Sequence, residues 1–291
     1  MSLIGVMLAG LQVQVAAAAP AGQTVDDPLL RPIAPDTSAR WLEPQAPSRL
    51  FGSTYYVGFK GLSVALIDTG DGLILVDGAV PQAVPAIREN IRALGFDLKD
   101  IKFILSTEPH FDHAGGLAAL ARDTGATVVA SAAAAKVLEA GQSGADDPQL
   151  PWLPPFPAVK GVRTLKDGEA IRLGGTTVTA LATPGHTAGS MSWTWQSCEE
   201  GRCVNVVFAS SLNAVAPDEF RFSAPENRPL VETYGRSFER MRSVPCDVLI
   251  TAHPDFQPTD ALIDSKACAA FADASARRLA ERMRKESLTD R

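Results

Sequence analysis

Histidine is scarce in this chain: there are four among 291 residues, and each lies in a short motif that follows an apolar run. Basic side chains are also fewer than acidic ones: 27 Lys and Arg stand against 33 Asp and Glu, which gives a formal net charge of −6 at pH 7. Nucleic acids and anionic membranes bind basic patches, so neither is expected as a partner. The Cys-x-x-Cys spacing of thiolate metal sites does not occur in the sequence, which disfavours such a site.

Charged side chains are missing from residues 1–21. Residues 3–15 are mostly apolar and residues 16–21 are mostly small, a composition typical of a secretion signal cleaved after about Ala19 or Ala21. The apolar run is too short to span a bilayer. We therefore expect export to the periplasm and a single domain over residues 22–291. No Lys or Arg precedes the apolar run, and a disordered tail is the alternative.

Four cysteines suit an oxidising compartment. Cys198 and Cys203 flank a turn sequence between two β-rich runs, which predicts a disulfide across that hairpin. Cys246 precedes an apolar run and Cys268 opens a helical pattern, so a second disulfide would join that helix to a sheet. Two other pairings, and four buried thiols, are the alternatives.

Short apolar or alternating runs predict strands in both halves of the chain. They cover residues 54–57, 63–67, 73–76, 101–105, 127–130, 170–173, 176–182, the alternating Met191, Trp193 and Trp195, 204–209 and 247–250. Helical spacing follows at about 81–94, after 114–116 and at 265–285. Two halves of strands and helices indicate an α/β (α+β) chain folded as a four-layer αββα sandwich. Its site would lie at one edge of the two sheets, where the strand-end loops converge.

Residues 141–157 form a different kind of segment, which holds Pro148, Pro151, Pro154, Pro155 and Pro157 with Trp152 and Phe156 between them. So many prolines argue against regular structure. A long loop with aromatic side chains is either a flap beside a substrate site or a packed surface loop, and the sequence favours neither.

The histidine motifs combine imidazoles with carboxylates and contain no thiolates. The first is Glu108-Pro-His110-Phe-Asp112-His113, and the others place His186 after Thr-Pro-Gly and His253 after Thr-Ala. This donor mixture suits zinc and leaves coordination positions open for water. Glu108 and His110 are two residues apart, so at an extended strand end they point the same way and can share one metal ion.

A second metal ion is predicted beside the first. Asp112 and His113 turn past the first ion toward the second, and His186 and His253 each add one nitrogen. Two neighbouring metal ions clamp the nucleophile and the leaving group of a hydrolysis. A lone histidine is more often structural, but the four agreeing motifs favour the metal interpretation.

The chain resembles the metallo-β-lactamase fold superfamily, whose signature is His-x-His-x-Asp-His. Within that superfamily it looks like the class B β-lactamases of the third subclass. The resemblance runs over most of residues 22–291 and is carried by residues 55–58, 75–78, 112–116, 183–190 and 246–268. Glu108 departs from the signature, because it stands where the first histidine is expected.

The resemblance implies two Zn²⁺ ions per chain and assigns their ligands. The first ion receives Glu108, His110 and His186, and the second receives Asp112, His113 and His253. Many relatives have a bridging aspartate where this chain has Ser211, whereas the third lactamase subclass has a serine there. Ser211 and Asn213 match positions that contact the substrate carboxylate, with Asn213 in place of the usual hydroxyl residue. For Ser211 the alternative is a hydroxyl that satisfies the backbone at a strand end.

The implied activity is that of a zinc-dependent β-lactamase. It would hydrolyse the amide of penicillins, cephalosporins and carbapenems through a metal-bound hydroxide, with antibiotic resistance as the result. Asp112 would be the catalytic residue that orients this hydroxide. The β-lactam is a small-molecule partner, and no protein partner is predicted. The alternatives are another metal-dependent hydrolase of the same fold, such as a lactonase or thioesterase, and a catalytically silent metal-binding protein.

Two carboxylates near the implied centre carry further expectations. Glu108 lowers the charge of the centre by one unit relative to a histidine, so the first zinc ion should be a weaker Lewis acid. The pKa of its bound water should then lie above the usual value of about 7. Asp77 ends a neighbouring strand and is predicted either to anchor the ligand loop or to cap a turn.

Overall fold

The computed structural model describes residues 26–288, and the predicted export signal lies outside them. The larger of two sheets has seven strands, paired in chain order. They are β1 (Ser48–Phe51), β2 (Thr54–Tyr56), β3 (Ala65–Asp68), β4 (Leu73–Val76), β5 (Ile101–Leu105), β6 (Thr127–Ala130) and β7 (Arg163–Thr164). Strands β1 to β4 pair antiparallel and β4 to β7 parallel, so the carboxyl ends of β4 to β7 lie at one edge.

The smaller sheet has five strands in the order β12-β11-β10-β9-β8. They are β8 (Ala170–Leu173), β9 (Thr176–Ala182), β10 (Met191–Glu199), β11 (Arg202–Ala209) and β12 (Val248–Thr251). The pairs from β8 to β11 are antiparallel, and β11 with β12 is parallel. Strands β9, β11 and β12 therefore run in one direction, and their carboxyl ends lie at the same edge.

Seven α-helices occur in residues 26–288. They are α1 (Pro35–Ser38), α2 (Val84–Ala93), α3 (Phe111–Ala114), α4 (Leu117–Thr124), α5 (Ala132–Ala140), α6 (Arg228–Ser243) and α7 (Ala267–Leu288). Sequence spacing predicted α2, α4 and α7 but missed the longer helices α5 and α6. For α5 there were local signals, since Ser131 caps its amino end and Gly141, with a φ of 71°, ends it. None of the helices in this described part combines the length and apolar character needed to cross a membrane.

Three apolar layers hold these elements together. The layer between the sheets contains Ile67 and Val76 from the larger sheet and Trp193 and Phe208 from the smaller one, all fully buried. A second layer packs α2, α4 and α5 on the outer face of the larger sheet, and a third packs α6 and α7 on the smaller one. Helices on both outer faces give the four-layer αββα sandwich, so the predicted fold class is confirmed.

Both predicted disulfides are present. Cys198–Cys203 joins paired residues of the β10–β11 hairpin, and Cys246–Cys268 joins the segment before β12 to the first turn of α7. The two bridges differ in the length of chain that they close, with sequence separations of 5 and 22 residues. The longer loop restricts the unfolded chain more, so it contributes more stability in the chain-entropy description.

We expect the two disulfides to contribute unequally to the free energy of unfolding when each is removed alone. Replacing Cys246 and Cys268 by Ala should lower the free energy of unfolding by about 3 kcal/mol, against about 2 kcal/mol for Cys198 and Cys203. Denaturant unfolding of the two double variants measures both losses. A larger loss for the hairpin pair would contradict the chain-entropy explanation.

Candidate metal centre

All the predicted ligands lie in loops that leave the carboxyl ends of strands at one edge of the sandwich. Glu108 and His110 follow β5, His186 follows β9, and His253 follows β12. Asp112 and His113 lie on α3, a single helical turn that begins directly after His110. Because the two sheets present these ends at the same edge, residues far apart in sequence meet there.

The local expectation for Glu108 and His110 is confirmed. β5 ends at Leu105, as predicted, and in the loop that follows His110 has an extended backbone, with a φ of −90° and a ψ of 152°. Asp77 holds this loop: it accepts hydrogen bonds from the backbone N–H of Thr107, at 2.7 Å, and from its hydroxyl, at 2.6 Å. Asp77 is fully buried, so it anchors the ligand loop, one of the two functions predicted for it.

The structure brings the six side chains together as two groups of three. One group is Glu108, His110 and His186, the other is Asp112, His113 and His253, and within each group the ligand atoms lie within 4.8 Å of one another. These are the two sets that the resemblance implied. All six are buried except His253, which is partly exposed.

The two groups touch through Glu108. Its Oε1 lies 3.5 Å from Nε2 of His186, in its own group, and 3.1 Å from Nε2 of His113, in the other. Nε2 of His253 lies 3.1 Å from Nε2 of His113 and 3.2 Å from Oδ2 of Asp112. The result is one compact cluster of imidazole nitrogens and carboxylate oxygens, directed at one another.

This cluster fits metal ions better than a network of hydrogen bonds. Oε1 of Glu108 is buried and has no hydrogen-bond donor among residues 26–288, which is costly for a charged oxygen. Imidazole and carboxylate donors without thiolates match a divalent cation of the zinc type. The structure therefore contains two adjacent candidate metal sites, consistent with a dinuclear centre.

Contacts at the far side of three imidazoles orient their rings, by hydrogen bonds for His186 and His253 and by a longer approach to a carboxylate for His113. His186 donates from Nδ1 to the carbonyl of Asn213 at 2.8 Å, and Nδ1 of His253 lies 3.1 Å from the carbonyl oxygen of Gly61. Nδ1 of His113 lies 3.5 Å from Oδ2 of Asp77. Each of these three rings therefore presents Nε2 to the cluster, an arrangement common around metal ions.

The ionisation of the metal-free cluster also favours cation binding. Burial alone would raise the pKa of Glu108, but the neighbouring imidazoles, His113 first, hold it at about 2. The pKa of Asp112 is likewise held well below its usual range, against its burial, by His113 and His253. Burial lowers the pKa of His113, yet the carboxylates of Asp112 and Glu108 raise it to about 10. A proton on His113 thus partly neutralises the carboxylates, and a bound metal ion would displace it.

The segment after β11 holds side chains of the cluster in place through hydrogen bonds of its backbone. The backbone N–H of Ser211 donates to Oε2 of Glu108 at 2.8 Å, so the other oxygen of that carboxylate is the one left for a metal ion. Ser210 lies in a buried hydroxyl network, 2.8 Å from the hydroxyl of Thr183. The backbone carbonyl of Asn213 accepts from Tyr234 as well as from His186. The sequence alone did not indicate these backbone contacts.

A pocket of about 690 Å³ opens over both groups. Its lining includes His110, Asp112, His186 and His253 together with Ser211 and Asn213, and its walls include Trp41, Trp152, Leu153, Val215 and Phe256. A cavity of about 740 Å³ between α2 and α4 contains none of the candidate ligands. The pocket over the two groups is therefore the candidate substrate site.

The proline-rich segment, residues 141–157, is partly packed against the core and partly at the rim of the pocket, so it combines features of the two alternatives given for it. Phe156 is buried against the outer layer of the larger sheet, whereas Trp152 is 53% exposed at the rim of the pocket. Trp41, on the N-terminal segment, lies 5.6 Å from the ring of His253 and forms another part of the wall. Sequence reasoning missed Trp41, because no local pattern connects it with histidines far along the chain.

Comparison with known proteins identifies the family. A profile of the Metallo-beta-lactamase superfamily matches residues 57–253. A solved structure described as the first B3 metallo-β-lactamase with an active site glutamic acid is 55% identical, with a TM-score of 0.88, over 90% of this chain and 99% of that chain. Rm3 metallo-β-lactamase is 45% identical, with a TM-score of 0.83, over 87% and 98%. MEM-A1, a subclass B3 metallo-β-lactamase isolated from a soil metagenome library, is 43% identical, with a TM-score of 0.82, over 86% and 99%.

Curated relatives match more distantly. An uncharacterized protein of Bacillus subtilis (strain 168), YobT, is 31% identical over 48% of this chain and 59% of its own length. A hydroxyacylglutathione hydrolase of Methylococcus capsulatus is 27% identical over 62% of this chain and 57% of its own length. The match thus spans less than two thirds of either protein. The solved structures match over nearly their whole length, and one of them is described with an active-site glutamic acid, the residue type that this chain has at Glu108. The chain therefore belongs to the metallo-β-lactamase superfamily, and within it to the B3 metallo-β-lactamases.

Proposed function

We propose that this protein is a zinc-dependent β-lactamase that hydrolyses the amide bond of penicillins, cephalosporins and carbapenems. The observation that carries the proposal is the pairing of two complete ligand groups with a pocket of about 690 Å³ directly above them. The relative with 55% identity, itself described as a B3 metallo-β-lactamase, supports the substrate class. Ser211, in place of a bridging aspartate, favours a lactamase over a thioesterase of the same fold.

Two Zn²⁺ ions would be held by the two groups of side chains. Glu108, His110 and His186 would bind one ion, and Asp112, His113 and His253 the other. When bound, such ions activate water as a nucleophile near neutral pH and stabilise the charge that develops on the carbonyl oxygen and the leaving nitrogen. The residues of the chain supply the position, charge and surroundings that this chemistry needs.

The pocket residues would hold the β-lactam in a reactive position. Trp41, Trp152 and Phe256 offer apolar surface to the ring system and exclude water around it. Ser211 and Asn213 lie on the pocket lining, where a hydroxyl and an amide N–H can donate hydrogen bonds to the substrate carboxylate. Asp112 keeps its carboxylate ionised, so it can accept a hydrogen bond from the attacking water and orient it.

Glu108 would tune this chemistry by its charge. A carboxylate in the first group reduces the positive charge of the centre by one unit relative to an imidazole. The lower positive charge makes the metal ion a weaker Lewis acid, so the ion lowers the pKa of its bound water less. Water would therefore be activated at a higher pH than with an imidazole at this position. Glu108 also accepts the hydrogen bond from the backbone of Ser211, so it couples the metal centre to a proposed substrate contact.

We also propose that residues 1–21 direct export to the periplasm and that residues 22–291 form the mature metallo-β-lactamase domain. The uncharged, apolar first residues and the two disulfides support this, because disulfides persist in oxidising compartments.

Hydrolysis assays test the proposed activity. Zinc-loaded protein should hydrolyse nitrocefin, a penicillin, a cephalosporin and a carbapenem; a chelator should abolish turnover, and added zinc should restore it. Turnover of a lactone or thioester, with all β-lactams left intact, would contradict the proposal and favour another metal-dependent hydrolase of the same fold. A single bound zinc ion with no hydrolysis would favour a silent metal-binding protein.

Substitutions at Glu108 test its contribution. Glu108→Gln keeps an acceptor for Ser211 but removes the charge, so metal affinity should fall about 10-fold or more, measured by competition with a chromophoric chelator. Glu108→His should retain activity and shift the acidic limb of the pH–rate profile to lower pH, because the centre gains one positive charge. Glu139→Gln, on the exposed face of α5, is the matched control. Unchanged zinc stoichiometry and turnover in Glu108→Ala would show that Glu108 is not a ligand.

The export proposal predicts the start of the mature chain. Protein purified from the periplasmic fraction of a Gram-negative host should begin after about Ala19 or Ala21, as read by N-terminal sequencing. Recovery of the intact chain from the cytoplasm alone would contradict export.

A further inference from the structure

Two arginines of α7 reach the segment after β11, residues 210–224, which carries the proposed substrate contacts. Arg278 and Arg282 are four residues apart, so they lie on the same face of the helix. Nη2 of Arg282 donates to the backbone carbonyls of Pro217, at 3.0 Å, and Phe220, at 3.2 Å. The middle of the segment is therefore held against α7.

Arg278 contacts the pocket end of the same segment. Its Nη1 lies 3.5 Å from Oδ1 of Asn213, a long hydrogen bond in which the guanidinium is the donor. The central carbon of the guanidinium lies 4.8 Å from the centre of the Phe256 ring, a cation–π contact. Asn213 and Phe256 both line the pocket, one after β11 and the other after β12. Arg278 thus joins two parts of the pocket wall from outside the pocket.

The backbone of Asn213 is fixed by other contacts. Its carbonyl accepts hydrogen bonds from Nδ1 of His186, at 2.8 Å, and from the hydroxyl of Tyr234, at 3.0 Å. The orientation of the side-chain amide is left to be set separately. Among residues 26–288, Arg278 is the one hydrogen-bond donor to the amide oxygen.

The guanidinium determines which end of this amide faces the pocket. A guanidinium can only donate, so the amide oxygen of Asn213 turns toward Arg278 and the amide nitrogen turns away. Nδ2 has no acceptor in the described part of the chain, and it keeps some access to solvent. A flipped amide would place Nδ2 against the guanidinium, donor against donor, and would direct Oδ1 at the bound anion. Arg278 therefore favours the orientation in which Asn213 can donate to an anion.

We propose that Arg278 is a positioning residue for substrate binding: it holds the Asn213 amide with Nδ2 directed into the pocket, toward the carboxylate of the β-lactam. The proposal rests on the β-lactamase function proposed above. Because Arg278 acts on binding of the carboxylate and has no contact with the six candidate ligands among residues 26–288, its removal should raise KM and leave kcat nearly unchanged.

Steady-state kinetics of the zinc-loaded full chain test this expectation. Arg278→Met keeps an apolar stem but removes the charge and the donors, so KM for a cephalosporin should rise about 5- to 10-fold, with kcat within about 2-fold. Arg278→Lys keeps a charged donor and should recover part of the loss. Arg277→Met is the matched control, because Arg277 is the exposed neighbour on α7 and has no hydrogen bond to Asn213 in the described chain.

Two comparisons separate positioning from a general effect of charge or helix packing. The methyl ester of the same cephalosporin has no carboxylate, so its KM should be the same in Arg278→Met as in the unsubstituted chain. In a double-mutant cycle, Arg278→Met should add nothing to the loss caused by Asn213→Ala, because the side chain through which Arg278 acts is then missing.

Nuclear magnetic resonance tests the contact without turnover. The side-chain amide signals of Asn213, identified in ¹⁵N spectra of the zinc-loaded protein by their loss in Asn213→Ala, should shift in Arg278→Met and stay in place in Arg277→Met. If the unsubstituted protein hydrolyses no β-lactam, the proposed function fails, whereas unchanged amide signals in Arg278→Met would show that the positioning itself is wrong.

Each of three kinetic results would also overturn the proposal: an unchanged KM for the cephalosporin in Arg278→Met, equal losses for the acid and its ester, or additive losses in the double variant. If Arg278→Met does not fold, the same cycle with Arg278→Lys decides the matter, since additive losses with Asn213→Ala refute the proposal there too.

Discussion

The burial of a mutually facing set of imidazoles and carboxylates is the constraint on which the rest of this structure depends. Four imidazoles and two carboxylates converge within a few ångströms, and Oε1 of Glu108 has no donor in the described part of the chain. Such a cluster is costly in a protein interior unless cations occupy it. The sandwich makes the convergence possible, because both sheets direct the carboxyl ends of their parallel strands to one edge.

Backbone contacts hold the side chains of the cluster in place. Carbonyl groups of Asn213 and Gly61 orient two of the histidines, and the N–H of Ser211 binds one oxygen of Glu108. Backbone groups move little once their strands are packed, so they make good fixed points for a metal centre. Glu108 fits this scheme with one oxygen on the backbone and the other free, which explains how a carboxylate occupies a position where the family signature has histidine.

Much of the fold and of the candidate site could be predicted from local signals. Alternating or continuous apolar runs predicted β4, β5, β6, β8 and β9 with the bounds that the structure has. The ligand residues could be recognised because histidine is rare here and clusters in motifs. The extended backbone predicted at the strand end is present at His110, but the bonds by which the buried Asp77 holds the loop at Thr107 could not be read from local patterns. Trp41 and Arg278 could not be found, since their contacts with residues of the pocket depend on packing between distant segments.

The sequence by itself determined which residues can bind metal, the charge that Glu108 brings, and the alternation that builds two sheets. Those properties belong to residue types and their spacing. Only the tertiary structure decided which nitrogen of three of the imidazoles faces the cluster, which oxygen of Glu108 remains free, and that Arg278 of α7 reaches Asn213 at the pocket. These depend on directions and on distances of about 3 Å between atoms far apart in the chain, set by the packing of the whole sandwich.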